Sequence, residues 1–304
     1  MFDVIIVGGS YAGMSAALPL ARARRSIAIV DAGERRNRFA HSSHGFLGRD
    51  GHAPEAIARE ARQQLLAYPT VTWLEGRAMA ASGRIDGFEV TLDDGRQLAG
   101  RRVVIACGVT DILPEIPGLA AHWGVGAMAC PYCHGYELER GRIGVLATSP
   151  MALHQAMMLP EWGPTTLLVN AAVAPDAHEL AELERRGVAI EPVAVAEIGG
   201  EAGAPVAILR DGRHLAFDGL FVTPRTRIAS AIPEHLGCAF KDAPLGPMIV
   251  TDDTRQTTVP GVFACGDVVR PVASVALAVG DGAFAGTATH RSLIFETAAP
   301  RRAA

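Results

Sequence analysis

Lysine is nearly absent from this sequence: Lys241 is the only one among 28 basic residues, which excludes Schiff-base and catalytic-lysine chemistry at every other position. An excess of positive charge is missing too. The 28 basic residues face 32 acids for a formal charge of −4, and no basic stretch is long enough to track a phosphate backbone, so nucleic acid is not an expected partner. No run of about 18 apolar residues occurs. Met1-Phe2-Asp3 passes straight into a strand-like segment without a basic leader or cleavage site, so a soluble, cytoplasmic protein with no membrane partner is expected. Five cysteines, at 107, 130, 133, 238 and 265, are too few and too unevenly spread for a disulfide scaffold. What is present is an ordinary globular composition, 49% hydrophobic and 20% charged over 304 residues, enough for about two domains.

Phe2 to Val7 is a β-branched apolar run closing at Gly8, the pattern of a buried parallel strand. Gly8-Gly9-Ser10-Tyr11-Ala12-Gly13 then opens a small-residue helix through Met14 to Leu18, and Ser26 to Val30 reads as a second strand ending at Asp31. In such a βαβ unit Gly8 permits the tight turn and Gly13 lets helix and strand pack closely. The helix start at Ser10, Tyr11 and Ala12 offers N–H groups to a pyrophosphate, and Asp31 accepts from a ribose hydroxyl. Ser10 replaces the usual middle glycine, and a plain strand-to-helix connection is the alternative reading.

Thr258 to Asp267, with its Val262-Phe263-Ala264-Cys265-Gly266-Asp267 ending, resembles the segment of two-dinucleotide-fold flavoproteins that returns to the cofactor. That resemblance implies FAD, with Gly266 and Asp267 at its ribityl chain and pyrophosphate. It also implies a helix from Ser274-Val275 whose N-terminus faces the flavin pyrimidine; a buried amphipathic helix is the plainer reading of the same stretch. Arg102 to Gly108 followed by Leu113-Pro114-Glu115-Ile116-Pro117-Gly118 resembles the strand and proline turn by which such chains leave the FAD domain. The expected fold class is therefore α/β, with two Rossmann-like three-layer dinucleotide-binding domains, the second inserted into the first. Residues 1–114 plus 243–304 would form the discontinuous FAD-binding domain and 115–242 the NAD(P)H-like domain, with crossings near 115 and 241.

Cys130-Pro131-Tyr132-Cys133-His134-Gly135 is the sharpest local signal. A CxxC pair closes a small disulfide ring, and a nearby charge or helix N-terminus lowers one thiol's pKa enough for attack at neutral pH. Half a zinc site with His134 as third ligand is one alternative, but no second CxxC or paired histidine motif supplies the remaining ligands. Two inert buried cysteines are another. A glutaredoxin or thioredoxin domain would carry the tetrapeptide near its start, not behind a nucleotide fingerprint and a domain exit.

Together these residues resemble the low-molecular-weight thioredoxin reductase family over essentially the whole chain. The resemblance implies that Cys133 is the flavin-proximal thiol, that Cys130 exchanges with substrate, and that the protein is a homodimer. It also places Asn37, His44, Ala78 and Gly108 at the cofactor. The family carries an acid after the second cysteine. His134 stands there instead, and an imidazole can move the same proton near neutral pH; simple helix capping is the alternative.

Two family signatures are missing. Ala147-Thr148-Ser149-Pro150-Met151-Ala152 stands where a second glycine fingerprint belongs, between a strand at Ile143 to Leu146 and a helix at about Met151 to Leu159. After the next strand, Thr165 to Val169, the chain reads Asn170-Ala171-Ala172-Val173 where paired basic residues would hold the 2′-phosphate of NADPH. Arg185 and Arg186 follow later, as a solvated helix face. NADPH is thus a doubtful reductant.

The combination of Gly8–Gly13, Asp31 to Arg38, His41-Ser42-Ser43-His44-Gly45 and the Cys-Pro-Tyr-Cys-His-Gly-Tyr-Glu run resembles a subgroup that includes dithiol oxidases of antibiotic pathways. His41 or His44 would approach the flavin; polar surface histidines are the alternative. The expected function is an FAD-dependent thiol–disulfide oxidoreductase acting on a dithiol or disulfide, either a small molecule or a thioredoxin-like protein. It is favoured as a dithiol oxidase or a reductase that uses NADPH poorly. An NADPH-dependent thioredoxin-disulfide reductase and a non-catalytic redox sensor are the alternatives. Cys107, Cys238 and Cys265 read as buried fillers, Trp73, Trp123 and Trp162 as core or interface anchors, and residues 298–304 as a frayed tail.

Overall fold

The computed structural model describes residues 1–296; the tail expected to fray lies outside them. The chain opens with β1 (Phe2–Val7), α1 (Tyr11–Arg22) and β2 (Ile27–Asp31), continues through α2 (Pro54–Leu66) and β3 (Val71–Glu75), and then folds back as the meander β4 (Ala78–Arg84), β5 (Gly87–Leu92) and β6 (Gln97–Ile105). Next comes β7 (Val109–Ile112), which leaves this unit. The second unit runs α3 (Leu119–His122), β8 (Ala127–Met128), α4 (Pro131–His134), β9 (Ile143–Leu146), α5 (Met151–Met158), β10 (Thr165–Leu168), α6 (Ala177–Arg185), β11 (Ala189–Glu191), β12 (Val195–Glu201), β13 (Ala204–Leu209), β14 (His214–Ala216) and β15 (Gly219–Val222). The chain returns through β16 (Arg225–Ile228), α7 (Ile232–His235), the hairpin β17 (Phe240–Ala243) and β18 (Gly246–Ile249), then β19 (Val262–Ala264), and closes with α8 (Val275–Phe295).

Both units have the expected parallel-sheet architecture. In the first, β3-β2-β1-β6 run parallel, with β19 parallel against the far side of β6 and the β4–β5 meander antiparallel beyond it. Val4, Ile5 and Ile6 are fully buried because helices cover one face of β1 and the meander and α7 the other; each such side chain contributes roughly 1.5–3 kcal/mol of burial. In the second, β11-β10-β9-β15-β8 form an all-parallel sheet with α5 and α6 on one face and the antiparallel β12-β13-β14 layer on the other.

The return crossing differs from expectation. β16 pairs antiparallel with β7, Arg225 opposite Ile112 through Ile228 opposite Val109. Ile228, Ile232, Cys238 and Ile249 then pack into the first core beside Ile5, Val7 and Phe88. The chain therefore re-enters the first unit around Thr223 to Arg225, not near residue 241, because these apolar residues need the face of the first sheet that its helices leave open.

Candidate functional site

β1 ends at Gly8, whose φ of +108° only glycine adopts readily. A Cβ at Gly13 would overlap the Gly8 carbonyl oxygen, so this turn fixes the close approach of α1 to the sheet. Ser10 is the N-cap of α1 and its side chain makes no capping bond, which leaves the helix-start amides to an anion. Asp31, at the end of β2, accepts from the Gly9 N–H at 3.2 Å. Trp73 stacks into the same corner, touching the space that a Gly9 side chain would fill. Tyr11 donates to the Pro54 carbonyl at 3.1 Å and receives from the Asn37 amide at 3.2 Å, and burial raises its pKa.

From the far end of the chain, Gly266 begins the turn that carries Asp267, and its N–H donates to Asp281 on α8 at 2.9 Å. Asp281 is fully buried and also receives from Arg255 at 2.6 Å and Arg270 at 2.8 Å. These bonds fix the turn from behind. Burial raises the Asp267 carboxyl's pKa, opposed by Arg36 at 3.2 Å. Arg36 in turn binds Asp111 of β7 through two nitrogens, at 2.5 and 3.0 Å. Although burial opposes its charge, these two acids hold Arg36 firmly protonated. Ser274 N-caps α8 by accepting from Leu277 N at 3.1 Å, with Val275 the first helical residue. Gly108, with φ +68°, faces open space, while Ala78 is packed in the first core.

Asn37 Oδ1, Arg35 Nε and Trp73 Nε1 are buried without a hydrogen-bond partner. Three orphaned polar atoms around an uncapped helix start and an acid one glycine away suit a dinucleotide, which would satisfy them. The residues present fit FAD.

In the second unit β8 delivers Cys130 as the N-cap of α4, with Pro131 at the first helical position, where its missing N–H costs nothing. Gln155 of α5 fixes the strand end by donating to the Ala129 carbonyl at 2.8 Å while accepting from the Thr223 hydroxyl at 2.9 Å. Cys130 and Cys133 are both free thiols. A hydrogen bond from the Cys133 thiol lowers Cys130 to about 7 against the opposition of burial, with the Cys133 and Tyr132 N–H groups and the Arg36 charge helping. Cys133, the donor, is pushed up by that bond and by burial. Nucleophilic character is thus concentrated on Cys130. Burial lowers His134; the charge of Glu137 opposes this and that of His44 reinforces it. Tyr132 meets Trp162 edge-on at 5.4 Å, and Tyr132 and Tyr136 stand out at 73% and 86% exposure beside the pair.

His44, expected at the cofactor, also reaches the second unit: its Nε2 lies 3.3 Å from Glu137 and 3.1 Å from Ser42 Oγ, its Nδ1 3.5 Å from Asp50. His41 is exposed. Arg36 and Glu137 lie inside the Asp31 to Arg38 and Cys130 to Glu137 motifs, where the local pattern gives them no role. Only the fold brings Arg36 to Asp267, and Glu137 to His44, 231 and 93 positions apart.

The second nucleotide turn is tied to the protein itself. Thr148 Oγ1 donates to the Thr223 carbonyl at 3.2 Å, and Asn170 Oδ1 accepts from Val195 N at 3.0 Å. Arg185 and Arg186 are paired with Glu182 at 2.7 and 2.6 Å, on the expected solvated face. Among the described residues no helix is long and apolar enough to cross a membrane, and no group of three metal-ligating side chains occurs.

The family model described as pyridine nucleotide-disulphide oxidoreductase matches residues 2–282. An oxidoreductase from Agrobacterium tumefaciens is similar in structure, with a TM-score of 0.94 and 57% identity over 97% of this chain and 99% of that one. The crystal structure of HlmI gives a TM-score of 0.90 at 35% identity, covering 96% of this chain and 92% of its own. A protein named thioredoxin reductase tcpT, from Claviceps purpurea, is 33% identical over 96% of this chain and 94% of its own length.

Proposed function

The chain belongs to the pyridine nucleotide-disulphide oxidoreductase family and is an FAD-dependent thiol–disulfide oxidoreductase; from that premise we propose that it works as a dithiol oxidase, with Cys130 and Cys133 as its redox pair. The observation that carries the direction is the second nucleotide turn. Its glycines are replaced by Ala147 to Ala152, Thr148 is bonded to Thr223, and Asn170-Ala171-Ala172 stands where a 2′-phosphate would need guanidinium groups.

In this reading FAD is held by Gly8, Ser10, Tyr11, Ala12, Gly13, Asp31, Asn37, Gly108, Gly266 and Asp267, and its N-terminal helix partner is α8 from Ser274 and Val275. When bound, FAD supplies the two-electron acceptor that returns the pair to the disulfide and passes the electrons to dioxygen. The chain's own residues do the sulfur chemistry. A substrate thiolate attacks Cys130 Sγ of the oxidised pair, the S–S bond breaks, and Cys133 leaves as thiolate. The substrate's second thiol gives its proton to His134 and attacks the mixed disulfide, releasing the cyclic or linked product disulfide and leaving the pair two electrons richer. The first unit with its return segment serves as the FAD domain, the inserted unit carries the pair, and the enzyme works as a cytoplasmic homodimer.

Anaerobic stopped-flow absorbance of the flavin tests the direction. Dithiothreitol alone should bleach it, air should restore it, and NADPH should act far more slowly. Bleaching by NADPH within milliseconds would establish the second reading, an NADPH-fed disulfide reductase.

A further inference from the structure

Outside the cysteines, a group of titratable side chains at this site spans both units. Glu137 lies one turn beyond Cys133, on the segment that follows α4. It receives no hydrogen bond from its own unit among those described; what faces it is His44 Nε2 at 3.3 Å, projected from the first unit's Phe39 to Asp50 loop. The same loop seats Phe39 against Gly124 of the second unit, where an added Cβ would collide with the Phe39 Cβ. His134, between the pair and Glu137, feels the charges of both Glu137 and His44. His44 is also approached by Asp50 and Ser42, and Arg36 places its charge on both cysteines.

We propose that Glu137, held in place from the other unit by His44 and three positions beyond His134 on the same helical run, balances the charge of the His134 imidazole when it takes the substrate proton. The role rests on the reading of Cys130 and Cys133 as the redox pair. During exchange His134 is caught between opposed demands. Its buried setting disfavours the imidazolium that proton transfer creates, and the charge of Glu137 offsets part of that penalty. Because the carboxylate is anchored by a residue of the first unit, the proton acceptor is complete only when the pair is docked against the FAD side.

The test uses the FAD-loaded protein. The His134 ring titration is read by NMR without substrate, and the rate of flavin bleaching by dithiothreitol is followed from pH 5 to 9. Removing a carboxylate that favours the imidazolium lowers its pKa, so Glu137→Gln should move the His134 titration and the matching limb of the rate profile down by about one unit. The plateau should drop about tenfold. His44→Gln should give a smaller shift, Glu137→Asp should restore most of it, and Glu139→Gln should change nothing. An unmoved His134 titration in Glu137→Gln, beside lost bleaching in Cys133→Ser, would overturn the role of Glu137 alone. Undiminished bleaching in Cys133→Ser would overturn the redox-pair reading and this role with it.

Discussion

The two units share one plan, a parallel sheet with helices on one face and an antiparallel layer on the other, yet their first turns have diverged. After β1 the chain makes a glycine turn that leaves the α1 amides uncapped. After β9 the corresponding turn places Pro150 before α5 and ties Thr148 to Thr223. The cores beneath are equally tight: Ile143, Val145, Ala156 and Leu167 are as fully buried as Val4, Ile6, Ala16 and Ile29. Fold and ligand chemistry therefore live on different residues. On the proposed reading, the second unit gives up nucleotide binding through half a dozen turn residues while its sheet and helices stay put, and serves to carry the thiols.

The comparison breaks most completely if the first turn is filled. Gly13→Leu drives a side chain into the Gly8 carbonyl, and overpacking of this kind typically costs about 1–3 kcal/mol even where the backbone can yield. The purified variant should be colourless or insoluble, as judged by flavin absorbance per protein. A yellow, fully loaded Gly13→Leu protein would show that α1 does not hold the cofactor. Next in size is the loss of Cys133. Cys133→Ser should stay yellow, since the first turn is untouched, but flavin bleaching by dithiothreitol should fall at least about 100-fold because no intramolecular disulfide can form.

How much of this was legible beforehand follows the range of the interactions. Gly8, Gly13 and Asp31 announced their unit because a tight turn, a close helix approach and an acid at the next strand end are requirements met within 23 positions. Cys130 and Cys133 are closer still. The return crossing was misplaced because β16 to β18 are fixed by burial against Ile5 and Phe88, which no local pattern encodes. Arg36 looked like one arginine of several in a polar loop. Its meaning comes from Asp111 and Asp267, which reach it only after the sheet has closed. His44 was expected to turn toward the cofactor, and its meeting with Glu137 depends on how one unit sits on the other.

The thiols of the two units offer a sharper contrast, smaller in size. Cys130 is lowered to about 7, chiefly by the bond from Cys133, whereas burial pushes Cys107 of the first unit up to about 12. A depressed thiol keeps its reactive thiolate above its pKa and loses it as the pH falls. Iodoacetamide labelling of the reduced protein, mapped by mass spectrometry, should therefore be half-maximal at Cys130 near pH 7 and fall roughly tenfold per unit below it, close to 100-fold by pH 5. Cys107 should stay unlabelled up to about pH 10. Equal labelling of both would mean that the bond from Cys133 does not activate the Cys130 thiol.

The finest test asks which of the second unit's two losses matters. Ala171 and Ala172 are exposed just beyond β10, so Ala171→Arg with Ala172→Arg supplies the missing guanidinium pair without disturbing the core. Two surface cations attract a dianionic phosphate, but at physiological salt such attraction is screened within about 8 Å. The pyrophosphate would still find Thr148 committed to Thr223 and no glycine turn to approach. NADPH-driven bleaching should then rise by less than about threefold, a change worth under 1 kcal/mol of binding. A gain of 100-fold or more would put the lost specificity in charge alone, and the turn after β9 would be a nucleotide site lacking only its anchor.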